Sequence, residues 1–179
     1  MFDWLNKINV RVYAAQQMTG VRRSVIYQRN AYCSRVFTKY GITVLSPVTE
    51  EGVKSDKKRL NQPSQEQLRY FWKRDKWLIR NSHILVDITG PSKSQGLLHE
   101  IGLSRYFYFK PIVRVMKLYG PSVAIEEEDL IAPTVEKAAK FIVEEFGTPW
   151  KRLKWKFKLF GRCFPGYMWI RLKWWGDWI

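Results

Sequence analysis

Residues 87–102 read D-I-T-G-P-S-K-S-Q-G-L-L-H-E-I-G. An apolar run, His83-Ile-Leu-Val, leads into small residues, a proline, two serines and two glycines. One carboxylate, Glu100, then stands among hydrophobic neighbours. A carboxylate in a strand-to-helix loop can attack an anomeric carbon or stabilise a cationic sugar in the transition state. Glu100 follows Gly96 by four residues, and near a helix start the helix dipole is expected to keep it ionised. The Ser92 and Ser94 hydroxyls, with backbone N–H groups at a helix N-terminus, suit an anion. The plain alternatives are a Glu that only stabilises its helix and a Ser/Gly segment that only turns. Asp87 closes the strand and either contacts a sugar or base or caps the loop.

The elements that must hold this loop follow from apolar runs and breakers. Residues 8–15 (INVRVYAA), 42–47 (ITVLSP), 83–88 and 111–116 read as strands, with 122–126 as one more. Helical spacing covers 23–39 and ends at Tyr40-Gly41, where glycine suits a C-cap. Ser64 and Gln67 form a capping box for a helix reaching about Asn81. Further helices are expected at about 96–108 and from Thr134 to Gly147, while 48–63 reads as a polar loop. Such alternation predicts an α/β fold, a flavodoxin- or Rossmann-like open parallel sheet of about five strands with helices on both faces. Ligands bind beyond the carboxyl ends of such strands. The quoted segment lies at one of those ends.

The chain has 179 residues and a net charge of +15, enough for one domain with a proper core. The charge is uneven. Residues 150–179 hold eight Lys/Arg against one acid, Asp177, together with six of the nine Trp. This basic, Trp-rich stretch is expected to be a C-terminal appendage to a domain spanning 1–149. Lys154-Trp-Lys-Phe-Lys-Leu-Phe alternates with period two, and Gly161, Pro165 and Gly166 then read as a break. Three roles suit it: packing on the domain or a second subunit, lying on an anionic membrane surface, or stacking on nucleic-acid bases. Cys33 and Cys163 are far apart with no His cluster, so no metal site is expected. No secretion signal and no membrane-spanning run is read, which makes a cytoplasmic setting, peripheral at a membrane or not, the default.

Further pieces join the quoted one in order: V-Y-A-A after the first strand, R-D-K-W-L-I-R-N-S on a helix, D-I-T-G-P-S-x-S-x-G-x-x-x-E-I-G, and K-P-I-V. Together they resemble the nucleoside 2-deoxyribosyltransferase superfamily over about residues 8–146, and most of all its 2'-deoxynucleoside 5'-monophosphate N-glycosidase branch. The resemblance implies cleavage of an N-glycosidic bond, with Glu100 as nucleophile, Asp75 as its acid/base partner and Tyr13 orienting the Glu100 carboxylate. It implies a substrate-binding loop of Gly90, Ser92, Ser94 and Gly96, with either serine meeting a 5'-phosphate, and Asp87 beside it. It further implies a homo-oligomer and no metal or organic cofactor.

Overall fold

The computed structural model describes residues 9–16, 21–50, 65–89, 95–115 and 129–176. In chain order these form β1 (Val10–Ala15), α1 (Arg23–Lys39), β2 (Ile42–Leu45), a short α2 (Pro47–Glu50), α3 (Gln65–Asn81), β3 (Ile84–Asp87) and α4 (Gln95–Gly102). A π-helical segment (Leu103–Phe107), β4 (Ile112–Val115), β5 (Leu130–Ala132), α5 (Val135–Phe146) and α6 (Pro149–Gly176) complete the order. The five strands lie in the sequence β2-β1-β3-β4-β5 and every neighbouring pair is parallel. This is the open, flavodoxin-like strand order, with crossover helices on both faces.

Alternation along β1 divides the core. Val10, Val12 and Ala14 face one apolar layer with Phe37 of α1 and Ile142 of α5. Tyr13 and Ala15 face the other, with Leu78 and Ile79 of α3 and Leu97 and Ile101 of α4. Strands buried on both faces read as continuous apolar runs, which is why β1, β3 and β4 were legible. The helix ends follow local chemistry. Gly41 takes φ 72, the left-handed conformation that suits glycine after a helix. Thr134 caps α5 by accepting a hydrogen bond from the Lys137 N–H at 3.2 Å. Ser64, the expected cap of α3, and 122–126, the expected extra strand, lie outside the described residues.

Three features differ from the sequence reading. First, α4 ends at Gly102 and the chain widens into a π-helical turn instead of continuing as one α-helix to 108. Second, the fifth strand is Leu130–Ala132. It is anchored by Asp129, whose carboxylate accepts from the Ile112 N–H at 2.8 Å and pairs with buried Arg105 at 2.7 Å. Third, residues 149–176 form one helix that runs through Gly161, Pro165 and Gly166 without the expected break. The period-two pattern was a local accident of a helix with apolar residues on two sides. One side packs on the domain: Leu159 and Cys163 are buried, and the Trp155 ring lies 5.2 Å from Phe146.

Candidate active site

Tyr13 sits in the middle of β1, 0% exposed, on the sheet face covered by α3 and α4. Asp75 lies on α3 three and four residues before Leu78 and Ile79, so the same helix face that packs on the sheet carries it. Being one turn nearer the helix start, it lies toward the carboxyl ends of the strands, because a crossover helix runs back along the sheet. Glu100 lies on α4 three residues after Leu97, which is in the same apolar layer as Tyr13. Two helices and the central strand thus bring Glu100, Asp75 and Tyr13 into one electrostatic neighbourhood.

Glu100 is half-buried, and its carboxyl pKa is pushed up to about 8. Burial is the largest cause, and the neighbouring Asp75 carboxylate adds to it. The Tyr13 hydroxyl pulls the other way, Asp87 pushes further up, and the Arg74 guanidinium pulls down. This reverses the expectation of a dipole-stabilised anion. Glu100 is the sixth residue of α4 and the first turn holds no acid, so the helix terminus is too far to offset desolvation.

Burial, followed by the Glu100 and Asp75 charges, lifts the Tyr13 phenol well above 10, so it remains a proton donor at any working pH. The hydroxyl oxygen makes no well-formed hydrogen bond, yet it lies close enough to Glu100 for each group to shift the other's proton affinity. Such contacts are often loose in an unliganded site and tighten around substrate. Removing the hydroxyl removes a donor to the Glu100 carboxylate, and hydrogen bonds to charged groups are worth about 1.5–3 kcal/mol. Tyr13→Phe is therefore expected to lower kcat about 10- to 100-fold with KM nearly unchanged. Steady-state kinetics of the two proteins would show this. An unchanged kcat would reduce Tyr13 to a core aromatic.

Two cations escaped the sequence reading. Arg74 donates through Nε and Nη2 to one Asp75 oxygen, at 3.0 and 2.9 Å, and lies over the Phe71 ring at 5.1 Å. Its only signal was the adjacency of Arg and Asp in the helix. Arg114, buried in β4, lies 3.7 Å from an Asp87 oxygen. A charge inside the apolar run I-V-R-V was the clue. Asp87 is wholly buried, and its other oxygen accepts from the Thr89 N–H at 2.8 Å and from the Thr89 hydroxyl. In this state its carboxylate caps the loop. Gly96 is exposed in the first turn of α4. His99 is exposed and edge-on to Trp72, away from the layer that holds Tyr13. Gly90, Ser92 and Ser94 lie outside the described residues.

No family model matches the sequence, and no curated protein matches it either. Among solved structures the chain is similar to a 2-deoxyribosyltransferase of the psychrotolerant bacterium Bacillus psychrosaccharolyticus. The identity is 18% and the TM-score 0.56, over 73% of this chain and 90% of that one. The chain has a 2-deoxyribosyltransferase fold. The chain is also similar to a conserved protein from Enterococcus faecalis V583, at 16% identity and a TM-score of 0.50, over 75% of this chain and 98% of that one. The CMP N-glycosidase of Clostridium botulinum aligns at 16% identity and a TM-score of 0.45, over 74% and 97%. Within the deoxyribosyltransferase fold, Glu100 and Asp75 sit at the strand ends where α/β sheets hold their ligands.

Proposed function

We propose that the protein cleaves the N-glycosidic bond of a (deoxy)nucleoside or its 5'-monophosphate through a covalent intermediate on Glu100. The observation that supports this is the partly buried Glu100–Asp75 pair, with the buried Tyr13 of β1 close enough to act on the Glu100 carboxyl. The reaction named for the Bacillus neighbour, deoxyribosyl transfer, is consistent with it. In the first step a Glu100 oxygen bonds to the anomeric carbon as the carbon–nitrogen bond breaks. Asp75 gives its proton to the departing base. In the second step water or another base attacks the same carbon, Asp75 takes the proton back, and Glu100 leaves. Two inversions retain the configuration. Tyr13 stabilises the Glu100 carboxylate before attack, and Arg74 holds the Asp75 carboxylate in place. Gly90, Ser92, Ser94 and Gly96 are proposed to form the wall that meets the sugar and any 5'-phosphate.

The test is chromatography of nucleosides and nucleoside 5'-monophosphates, ribo and deoxy, incubated with the protein with and without a second free base. Released base marks a hydrolase. A new nucleoside, formed only when acceptor is added, marks a transferase. A silent panel would refute the proposal.

A separate observation favours a membrane surface for α6. Trp150 is 74% exposed and Phe157 69%, and Leu153, Phe160 and Phe164 are exposed with them. These positions recur every three or four residues and form one stripe. Exposed Lys151, Lys154 and Lys158 line the adjoining flank. Lys154 and Lys156 border the stripe on its two sides, so a self-paired coiled coil would oppose lysine to lysine. An aromatic stripe edged by lysines suits the headgroup region of an anionic bilayer. Among the described residues no helix is long and apolar enough to cross one. The protein is expected to sediment with phosphatidylserine vesicles and not with phosphatidylcholine vesicles, and Trp150→Glu/Phe157→Glu is expected to abolish this. Equal sedimentation of the variant would exclude the stripe.

A further inference from the structure

A cavity of about 350 Å³ opens at the end of the sheet opposite to Glu100, between the strand starts and α6. Arg11 near the start of β1, Arg80 at the end of α3, His83 just before β3 and Lys110 just before β4 line it from the domain. Arg152 and Lys156 line it from α6. Five of these six are basic side chains: Arg11, Arg80, Arg152 and Lys156 are cations at pH 7, while burial, then the Lys156 and Arg11 charges, lower Lys110 to about 7, and no carboxylate lines the cavity. Among the described residues none of the five has an ion pair. Like charges held this close repel one another, and an arrangement of this kind gains stability when an anion enters.

The side chains are positioned rather than merely crowded. The Lys110 ammonium donates to the carbonyls of Ile79, Arg80 and Ser82, which pins it at the end of α3. Arg152 donates to the Phe146 carbonyl at 3.0 Å. His83 Nδ1 accepts from the Arg11 N–H at 3.0 Å, which leaves Nε2 to carry the proton of the neutral ring. Burial, then Arg152, Arg11 and Lys110, push His83 down to about 4, so the ring is a neutral donor at pH 7. Phe109, on the cavity wall, holds a left-handed φ of 49 that a phenylalanine adopts at a cost. Its ring is braced edge-on by Phe160 of α6 at 5.1 Å. α6 adds Arg152 and Lys156 to the same lining.

We propose that this cavity binds an anion carrying two or more phosphate groups, held between the strand starts and α6. Several cations converging on a small, partly enclosed volume match a multivalent anion better than a single charge, and guanidinium forks match phosphate oxygens in pairs. The site is remote from Glu100 and does not rest on the glycosidase reading, so its ligand is not the substrate of that reaction.

The experiment is isothermal titration of the full chain with sodium tripolyphosphate at about 0.15 M salt, with orthophosphate and sulfate as comparators. One tight site per chain for tripolyphosphate, and weaker binding of the comparators, is expected. Lys156→Glu is expected to weaken it at least about tenfold. Lys140→Glu makes the same charge change on exposed α5 and is expected to change it less than about twofold. Should Lys156→Glu fail to fold, Arg80→Ala tests the same wall from α3. A second arm uses vesicles. Preference for a polyphosphorylated inositol lipid over phosphatidylserine at equal surface charge, lost in Lys156→Glu, would assign the phosphates to a lipid headgroup. Tripolyphosphate binding without that preference would assign a free ligand. Equal effects of Lys156→Glu and Lys140→Glu, or no saturable binding in either arm, would overturn the proposal.

Discussion

Glu100→Gln is expected to abolish turnover and to stabilise the fold at alkaline pH. Glutamine keeps the shape and loses the nucleophile. Loss of a nucleophile that acts as part of a unit lowers kcat by about 10⁴-fold or more. The stability effect has a definite sign. The Glu100 carboxyl titrates at 4.5 when unperturbed and near 8 in the folded protein. Between these values the folded chain binds more protons than the unfolded one, so this group's contribution is full below about 4.5 and is lost as pH rises through 8. Glutamine never ionises and escapes that loss. At pH 8 the variant should be more stable by on the order of a few kcal/mol, a gain of several degrees in Tm, and the difference should vanish near pH 4.5. Thermal melts across this range, beside the assay, measure both. A variant that is inactive but gains no stability would mean that the folded protein does not raise the Glu100 pKa.

Asp75→Asn removes the proposed proton donor, and general acid–base groups contribute about 10²- to 10⁴-fold. The larger information lies in the pH profile. Double displacement needs one carboxylate ionised and one protonated. The pair must therefore share a single proton, and the upper titration belongs to the pair. The Glu100 carboxyl is pushed up to about 8, while the Arg74 guanidinium holds the Asp75 carboxyl at 2.9 Å. Substrate binding must shift the shared proton from Glu100 to Asp75, and the Tyr13 hydroxyl favours that shift by stabilising the Glu100 anion. Wild-type kcat/KM is expected to fall above about pH 8, and the fall is expected to disappear in Asp75→Asn. Activity that rises through pH 8 would mean that ionising Glu100 is the only requirement and that Asp75 gives no proton.

Much of this was legible before the structure. Strands buried on both faces announce themselves as apolar runs, and Gly41 and Thr134 mark helix ends through their own backbone chemistry. What stayed hidden depends on tertiary surroundings. β5 is three residues long and owes its place to Asp129, which bonds to the neighbouring strand and to a buried arginine far away in the chain. The helical state of 149–176 was masked by a short coincidence of lysines and aromatics at alternate positions. Glu100 was picked out by its neighbours in sequence, yet its charge state was misjudged, because burial and Asp75 outweigh any helix terminus. The cationic cavity was invisible for the same reason. Its members come from positions 11, 80, 83, 110, 152 and 156, and only the folded chain brings them together.

The central claim is a covalent bond between Glu100 and a sugar. Its most direct measurement is peptide mass spectrometry after an acid quench of the protein mixed with whichever nucleoside or nucleotide it turns over. Wild type and Asp75→Asn should both carry the mass of the glycosyl group on the peptide holding Glu100, and Glu100→Gln should carry none. Base released at the wild-type rate by a protein whose Glu100 peptide never gains mass, or a glycosyl group found on another residue, would contradict the account.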